Sequence, residues 1–157
     1  MKELPKSTKV VVIGGGVAGT SCAYHLAKFG WKDVVLLERD LLTSGTTWHA
    51  AGLLGQLGAS STITKIRKYS LDLYKELEKT TGLSTGMKQN GAITVASTKE
   101  RMQELLRQAT TAQLSDVELE VIDKKRLKQL YPVLHSEDIV GGVYMPKDGQ
   151  ADPVGVT

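Results

Sequence analysis

The residues most able to do chemistry in this sequence lie in two glycine-rich stretches near its beginning. Residues 14–19 read GGGVAG, which satisfies the spacing G-x-G-x-x-G. In such a turn Gly14 permits a sharp bend, Gly16 lets the backbone approach a pyrophosphate, and Gly19 lets a helix pack closely. The phosphates would lie at the N-terminus of that helix, where unpaired amides and the helix dipole favour anions. The turn therefore predicts a dinucleotide site.

A carboxylate follows the glycines at the distance that dinucleotide-binding folds use. Glu38 ends a second apolar run about 20 residues after the turn. Its carboxylate can accept hydrogen bonds from ribose hydroxyls and would repel a phosphate on the ribose, which argues against NADP. The spacing does not distinguish NAD from FAD, so both cofactors stay open on these residues alone.

The second stretch, residues 44–52, reads SGTTWHAAG and places a histidine beside a tryptophan among small residues. Nine residue steps separate Asp40 from His49, a reach of up to ~30 Å in an extended chain. That reach could carry the chain from the ribose of a dinucleotide to its reactive ring. There an imidazole could be a base, a hydrogen-bond donor or a covalent anchor. The residue types do not choose among these roles, nor do they exclude a histidine that only packs in a loop.

Hydrophobic periodicity predicts the elements that must position these residues. The apolar runs at 9–13 and 33–38 are typical of strands buried on both faces, and residues 17–29 between them have helical spacing. Strand, glycine turn, helix and strand within about 30 residues predict a βαβ unit. Gly30 stands where a glycine that ends the helix is expected. On this helix we expect one buried face, which consists of Ala18, Cys22, Leu26 and Phe29.

Beyond residue 58, helices and strands mix without regular alternation, which favours a second unit built on an antiparallel sheet. The predicted helices are 62–81, closed by Gly82, then 97–113, opened by Ser97, and a short one capped by Asp123; the predicted strands are 91–96, 117–122 and 139–145. We expect an α/β fold. Residues 1–58 would form the first part of a Rossmann-type dinucleotide-binding domain. Residues 59–157 would form a helix, the start of an α+β substrate domain, and the return to the first domain.

Composition excludes several classes of function. The chain of 157 residues is 41% hydrophobic and 24% charged, with a net charge of +3, which is too small an excess to indicate a nucleic-acid or membrane partner. No apolar run approaches the ~20 residues that span a bilayer. Three dispersed histidines and one cysteine lack the spacing of metal ligands. A single cysteine allows no internal disulfide and indicates a reducing compartment.

Five segments together resemble one family of flavoproteins. They read VVVIGGGVAG, VVLLER, LTSGTTWHAAGLLGQL, TGLSTGMKQNGAITVAS and GGVYMPKDGQADP. The chain resembles, from about Ser7 to Thr157, the sarcosine dehydrogenase and dimethylglycine dehydrogenase family, which is FAD-dependent and belongs to the glycine-oxidase-like superfamily. The TTWHAAG element is the most specific part, because many dinucleotide-binding folds share the glycine motif.

The resemblance implies a site as well as a cofactor. It implies that His49 carries FAD covalently, through the methyl group next to the benzenoid ring of the flavin. It puts Val17 and Ala18 at the pyrophosphate and Glu38 and Arg39 near the adenosine ribose. The implied cofactor-binding set is Gly14, Gly16, Val17, Ala18, Gly19, Glu38, Arg39, Gly45, Thr46, Thr47, Trp48, His49, Ala50, Ala51, Gly52 and Leu53.

The reaction implied by the resemblance is the oxidative demethylation of an N-methyl amino acid. A hydride moves from the methyl carbon to the flavin, and a one-carbon unit leaves as formaldehyde or passes to tetrahydrofolate. Sarcosine is the first expected substrate and dimethylglycine the alternative, with an electron-transfer flavoprotein as electron acceptor. A catalytically silent, flavin-binding regulatory relative and an NAD-binding dehydrogenase stay open. The retained TTWH argues against the silent relative.

Enzymes of this family are several times longer than 157 residues. The resemblance therefore implies that the catalytic residues and the folate-binding region lie beyond Thr157, and that this chain alone is inactive and marginally stable. The short polar start MKELPKSTK leads into a strand and is unlike a signal peptide. This start favours a bacterial cytoplasm, with the mitochondrial matrix as the alternative.

Overall fold

The N-terminal part of the protein is the predicted βαβ unit. The structure is a computed structural model and describes residues 5–157, so the first four residues of MKELPKSTK lie outside the described residues. Strands β1 (Val10–Ile13) and β2 (Val34–Leu37) pair in parallel, with Val10 opposite Val34 and Ile13 opposite Leu37. Helix α1 (Val17–Lys28) connects the two strands. It ends just before Gly30, whose φ of 89° favours glycine.

The second half contains the predicted antiparallel sheet. Its strands are β4 (Ala92–Ala96), β5 (Glu120–Ile122) and β6 (Gly141–Met145), in the spatial order β4-β6-β5. Helices α3 (Lys99–Leu114) and α4 (Lys124–Leu130) pack on this sheet. The main apolar clusters lie here, because the central strand is covered by both helices: Ala96, Leu105 and Val143 form one, and Ile122, Leu127 and Ile139 form the other.

A long helix and a pair of two-residue strands complete the fold. Helix α2 (Ser61–Thr81) begins at Ser60, whose hydroxyl accepts from the amide of Ile63, and ends at Gly82 with φ 70°. Strands β3 (Leu53–Leu54) and β7 (Gly149–Gln150) pair antiparallel. These two strands are not predictable from the sequence, since a run of two residues has no recognisable periodicity.

Two local predictions were wrong. Ala18, Cys22 and Phe29 are exposed, so Leu26 is the one member of the predicted buried face that is partly covered; Gly19 and Ala23 are partly covered beside it. No residue of α1 is fully buried, because the helix packs on a sheet of only two strands within the described residues. Helix α3 is capped by the hydroxyl of Thr98, which accepts from the amide of Arg101, and not by Ser97.

Between residues 5 and 157, none of the helices combines the length and the apolar character needed to cross a membrane.

Candidate cofactor-binding site

The glycine turn between β1 and α1 has the conformation that its sequence predicts. Gly14 has φ 107°, a value that residues with a side chain rarely adopt, and its amide donates to the carbonyl of Leu37 at 2.8 Å. A Cβ added at Gly19 would lie 1.9 Å from the carbonyl oxygen of Gly14. The first and last glycines are therefore both required by the backbone, one for the bend and one for the close approach of the helix.

The N-terminus of α1 is capped by a side chain that is distant in sequence. Gly16 has no side chain to cap the helix, and the amide of Val17 donates instead to Oγ1 of Thr47 at 3.0 Å. Thr47 is only 8% exposed, so its hydroxyl is held against the first turn. A Cβ on Gly16 would lie 2.8 Å from the same oxygen. The amides of Ala18 and Gly19 have no partner within the helix, as in any first turn, and are available to an anion.

Glu38 lies against the glycine turn at the carboxyl end of β2. Its Oε2 accepts from the amide of Gly15 at 2.6 Å, and its Oε1 accepts from the amides of Arg39 at 2.8 Å and Asp40 at 3.2 Å. These bonds, that from Gly15 first and that from Asp40 next, lower the pKa of the Glu38 carboxyl below its usual value. A cavity of about 390 Å³ opens beside it and is lined by Ile13, Gly14, Leu37, Glu38, Arg39, Asp40, Ser44 and Gly45.

The TWH segment forms a single 3-10 turn, Thr47–His49. Trp48 Nε1 donates to the carbonyl of Ser44 at 3.1 Å, and the Trp48 and His49 rings lie 3.8 Å apart with a tilt of 36°. His49 Nδ1 lies 3.0 Å from the carbonyl oxygen of Gly45. A carbonyl accepts only, so this contact places a proton on Nδ1; in the neutral imidazole Nε2 then carries the lone pair. The tryptophan packs beside the imidazole, and both residues are exposed.

A second, more apolar cavity of about 350 Å³ has Thr47 in its wall. Its lining is Val17, Thr47, Ala50, Ala51, Gly52, Leu53, Leu54, Tyr74, Ala151, Pro153 and Val156. Burial raises the pKa of the Tyr74 hydroxyl. We call this space the ring-side cavity. Gly52, with φ 70°, lets this wall form, because a Cβ there would lie 2.2 Å from the carbonyl oxygen of Ala151.

The structure distributes the predicted site residues over four places. Gly14, Glu38, Arg39 and Gly45 line the cavity beside β2, and Val17, Thr47 and the segment 50–53 line the ring-side cavity. Gly16, Ala18 and Gly19 belong to the glycine turn and the first turn of α1 and line neither cavity. Thr46, Trp48 and His49 line neither cavity and lie on the adjoining 3-10 turn or next to it.

Five residues of the ring-side cavity were missed by sequence reasoning. They are Leu54 on β3, Tyr74 on α2, and Ala151, Pro153 and Val156 after β7. Their residue types are those of ordinary core or loop positions, and all but Leu54 come from segments far along the chain. Only the motif GQADP within the family resemblance marked the C-terminal segment. Within residues 5–157, no group of three or more His, Cys, Asp or Glu side chains could hold a metal ion.

Comparison with known families identifies the dinucleotide. Residues 9–157 match the family described as FAD dependent oxidoreductase. The chain belongs to this FAD-dependent oxidoreductase family. The match excludes the NAD-binding dehydrogenase that the spacing had left open. It agrees with the resemblance stated from the five sequence segments.

Several members of this family are similar to the chain over nearly its whole length. Mitochondrial sarcosine dehydrogenase of Homo sapiens is 44% identical over 98% of this chain and 17% of that protein. Mitochondrial dimethylglycine dehydrogenase of Rattus norvegicus is 43% identical, over 99% of this chain and 18% of that protein. The mitochondrial regulatory subunit of pyruvate dehydrogenase phosphatase of Mus musculus is 41% identical, over 92% and 16%. The chain thus spans less than a fifth of the length of these relatives.

Solved structures of related oxidoreductases share the fold. L-proline dehydrogenase from P. horikoshii superimposes with a TM-score of 0.87 at 28% identity, covering 96% of this chain and 39% of that one. Glycine oxidase from Geobacillus kaustophilus does so with a TM-score of 0.80 at 29% identity, covering 95% and 42%. The mixed α/β fold with small antiparallel sheets is therefore that of FAD-binding oxidoreductases.

The residues of the flavoprotein site fit FAD on structural grounds. The cofactor has a polar adenosine end, a central pyrophosphate and a flat, largely apolar ring. The chain offers a cavity beside an ionised carboxylate, a helix N-terminus with unpaired amides, and an apolar cavity lined in part by Val17 of that helix. Each part of the cofactor thus has a chemically matching surface.

Proposed function

We propose that the protein is the FAD-binding part of an enzyme that oxidatively demethylates an N-methyl amino acid, converting sarcosine to glycine and a formaldehyde-level one-carbon unit. The observation that carries this proposal is the hydrogen bond from His49 Nδ1 to the carbonyl of Gly45. It leaves Nε2 with the lone pair that a covalent link to a flavin requires. The similarity to sarcosine dehydrogenase over 98% of the chain supports the same conclusion.

Each part of the site has a proposed binding role. The carboxylate of Glu38 binds ribose hydroxyls, and its negative charge disfavours any ligand with a phosphate on that ribose. The first-turn amides of α1, near Val17 and Ala18, hold the pyrophosphate. The segment 50–53 and Tyr74 form the apolar wall against which the ring packs. When bound, FAD supplies the acceptor for the hydride that leaves the N-methyl carbon of the substrate.

The turn that contains His49 orients the imidazole without help from a distant residue. The Gly45 carbonyl selects the tautomer, and the face of Trp48 limits rotation of the ring. Thr47 ties the same turn to the N-terminus of α1. The nitrogen proposed to bond the flavin is therefore held at a fixed height relative to the proposed pyrophosphate site.

Sarcosine is preferred to dimethylglycine because the segments LLGQL and STGMKQNGAITVAS are more like those of the sarcosine enzyme. The identities to the two relatives, 44% and 43%, do not separate the substrates. Transfer of electrons to an electron-transfer flavoprotein, and of the one-carbon unit to tetrahydrofolate, rest on the family resemblance. They belong to regions that these 157 residues do not include, as does the proposed catalytic machinery.

The experiment that tests the proposal separates covalent from dissociable flavin. The protein is purified with FAD, denatured in acid and examined on a gel under ultraviolet light. Fluorescence should stay with the polypeptide in the wild type and in His135→Ala, a control at an exposed histidine. It should be lost in His49→Ala. Fluorescence that washes out of the wild type would reduce His49 to a ring contact.

Turnover distinguishes the enzyme from a silent relative. With the complete polypeptide and an artificial electron acceptor, we expect sarcosine to be oxidised faster than dimethylglycine at equal concentration. The reverse order would assign the dimethylglycine reaction. Bound flavin with neither activity would favour a regulatory role, since a regulatory subunit is among the similar proteins.

A further inference from the structure

Asp148 is a buried carboxylate that the proposed cofactor site does not use. It is 2% exposed, and it is the one charged side chain in the buried class among residues 5–157. Its Oδ1 accepts from the backbone amide of Gln56 at 2.9 Å, and the side-chain Nε2 of Gln56 lies 3.4 Å from the same oxygen. These two residues are 92 positions apart in the sequence. A buried charge with such partners calls for a structural or functional reason.

The carboxylate extends the strand pair that forms part of the ring-side wall. Strands β3 and β7 pair Leu53 with Gln150 and Leu54 with Gly149, and the amide of Ala151 donates to Gly52 at 2.9 Å. The backbone pairing stops at Leu54. The amide of Gln56, two residues further on, is satisfied by the Asp148 side chain in place of a backbone carbonyl.

Asp148 also bonds to the segment on the other side of β7. Its backbone carbonyl accepts from the amide of Gly91 at 2.9 Å. Lys88 and Gln150 exchange two backbone hydrogen bonds, of 2.8 Å and 3.0 Å. The chain from 148 to 151 thus lies between the wall of the ring-side cavity and the segment that enters β4. The backbone carbonyl of Asp148 accepts from Gly91, in the segment that enters β4, and its side chain accepts from Gln56, in the segment that follows β3.

We propose that Asp148 is a positioning residue for the ring-side cavity: its carboxylate, bonded to the amide of Gln56, fixes β3 and with it the wall formed by residues 50–54. Leu53 and Leu54 line this cavity, and β3 has only two residues of backbone pairing to hold it. A charged acceptor makes a stronger hydrogen bond than a neutral carbonyl. The proposal rests on the proposed function in one respect, namely that the cavity receives the flavin ring.

The first test is hydrogen exchange, measured by mass spectrometry on peptides that cover residues 53–57 in the FAD-loaded protein. In Asp148→Ala we expect exchange in this segment to be faster by about tenfold or more, because a buried bond to a charged acceptor is lost. Asp148→Asn keeps an acceptor oxygen of the same shape without the charge, so its exchange rate should lie between those of the wild type and Asp148→Ala. Asp138→Ala, at an exposed aspartate, is the control. If Asp148→Ala does not fold, Asp148→Ser, whose side chain is too short to reach Gln56, replaces it.

The second readout is the visible circular dichroism of the bound flavin, which reports the surroundings of the ring. We expect the spectrum to change in Asp148→Ala and to be restored in Asp148→Asn. Unchanged exchange at residues 53–57 would refute the contact as a restraint on β3. Faster exchange with an unchanged flavin spectrum would refute the positioning role. A wild-type protein without flavin would refute the proposed function, while the exchange comparison would still decide whether the carboxylate holds the strand.

Discussion

Replacing Thr47 by valine should show whether the Thr47 hydroxyl caps α1, because the change removes one hydrogen-bond acceptor and keeps the shape of the side chain. Thr47 is nearly buried, and its hydroxyl accepts from the amide of Val17 at 3.0 Å. Gly16 cannot take over this role, since it has no side chain. In Thr47→Val the first amide of α1 therefore loses its partner without gaining a new one.

The expected loss of stability follows from two independent estimates. An N-cap hydroxyl contributes about 0.5–2 kcal/mol. A partly buried amide left unpaired costs about 1–3 kcal/mol. These describe the same bond and are not added, so we expect a loss of about 1–2 kcal/mol. With a urea m-value of about 2 kcal/mol/M, the unfolding midpoint should fall by about 0.5–1 M.

The assay is equilibrium urea unfolding at a fixed FAD concentration, since bound ligand adds to apparent stability. Thr46→Val is the matched control, because Thr46 is the adjacent threonine and is exposed. Thr47→Ser keeps the hydroxyl and should recover most of the loss. Equal midpoints for Thr47→Val and Thr46→Val would refute the assignment of Thr47 as the cap of α1.

Three further predictions concern the glycine turn and the two anchored carboxylates. Gly19→Ala should lower the free energy of unfolding by about 1–3 kcal/mol relative to the control Gly45→Ala. A Cβ at position 19 meets the Gly14 carbonyl, whereas one at position 45 meets nothing within 4 Å. Equal unfolding midpoints for the two variants would contradict this reasoning. The pKa of Glu38 lies below its usual 4.5, so its ionised form stabilises the native state above that pH and this contribution is lost as the pH falls through the lower native pKa. Glu38→Gln should therefore flatten the decline of stability below pH 4.5. Thermal unfolding at pH values from about 3 to about 6 measures this decline. An unchanged slope would contradict the contact between Glu38 and the Gly15 amide. Burial, opposed by the bonds from Gln56, raises the pKa of Asp148 above its usual 3.8, so its stabilising contribution is complete below that pH and is lost as the pH rises through the native pKa. The wild type should thus lose stability relative to Asp148→Asn as the pH rises from 3.8, and parallel stability curves would show that Asp148 has an ordinary pKa in the native protein.

Local features of the fold were predictable because the interactions that produce them span only a few residues. The βαβ unit followed from two apolar runs and the glycine turn between them. Gly82 ends α2 as expected, and Asp123 caps α4 through the amide of Arg126. The cap of α3 was placed one residue early, at Ser97 instead of Thr98. Two adjacent hydroxyl residues look alike in sequence, and the path of the chain out of β4 decides which of them has the extended conformation of a cap.

The sequence by itself determined the class of cofactor. A strand, three spaced glycines and an acidic residue at the end of the next strand are local requirements of dinucleotide binding, and each is visible without coordinates. The TTWHAAG segment similarly indicated the family and its flavin. These features depend on residue type and short spacing, so they survive without knowledge of the packing.

Only the tertiary structure decided how the parts are held together. The cap of α1 comes from Thr47, 30 residues after Val17, and the restraint on β3 comes from Asp148, 92 residues after Gln56. The exposure of Cys22 likewise depends on how few strands cover α1 within the described residues. The sequence separation of such segments sets only an upper limit on their distance and does not tell which of them meet in space. They arise only when whole elements pack, because a polar group removed from water takes the partner that the packing brings within reach.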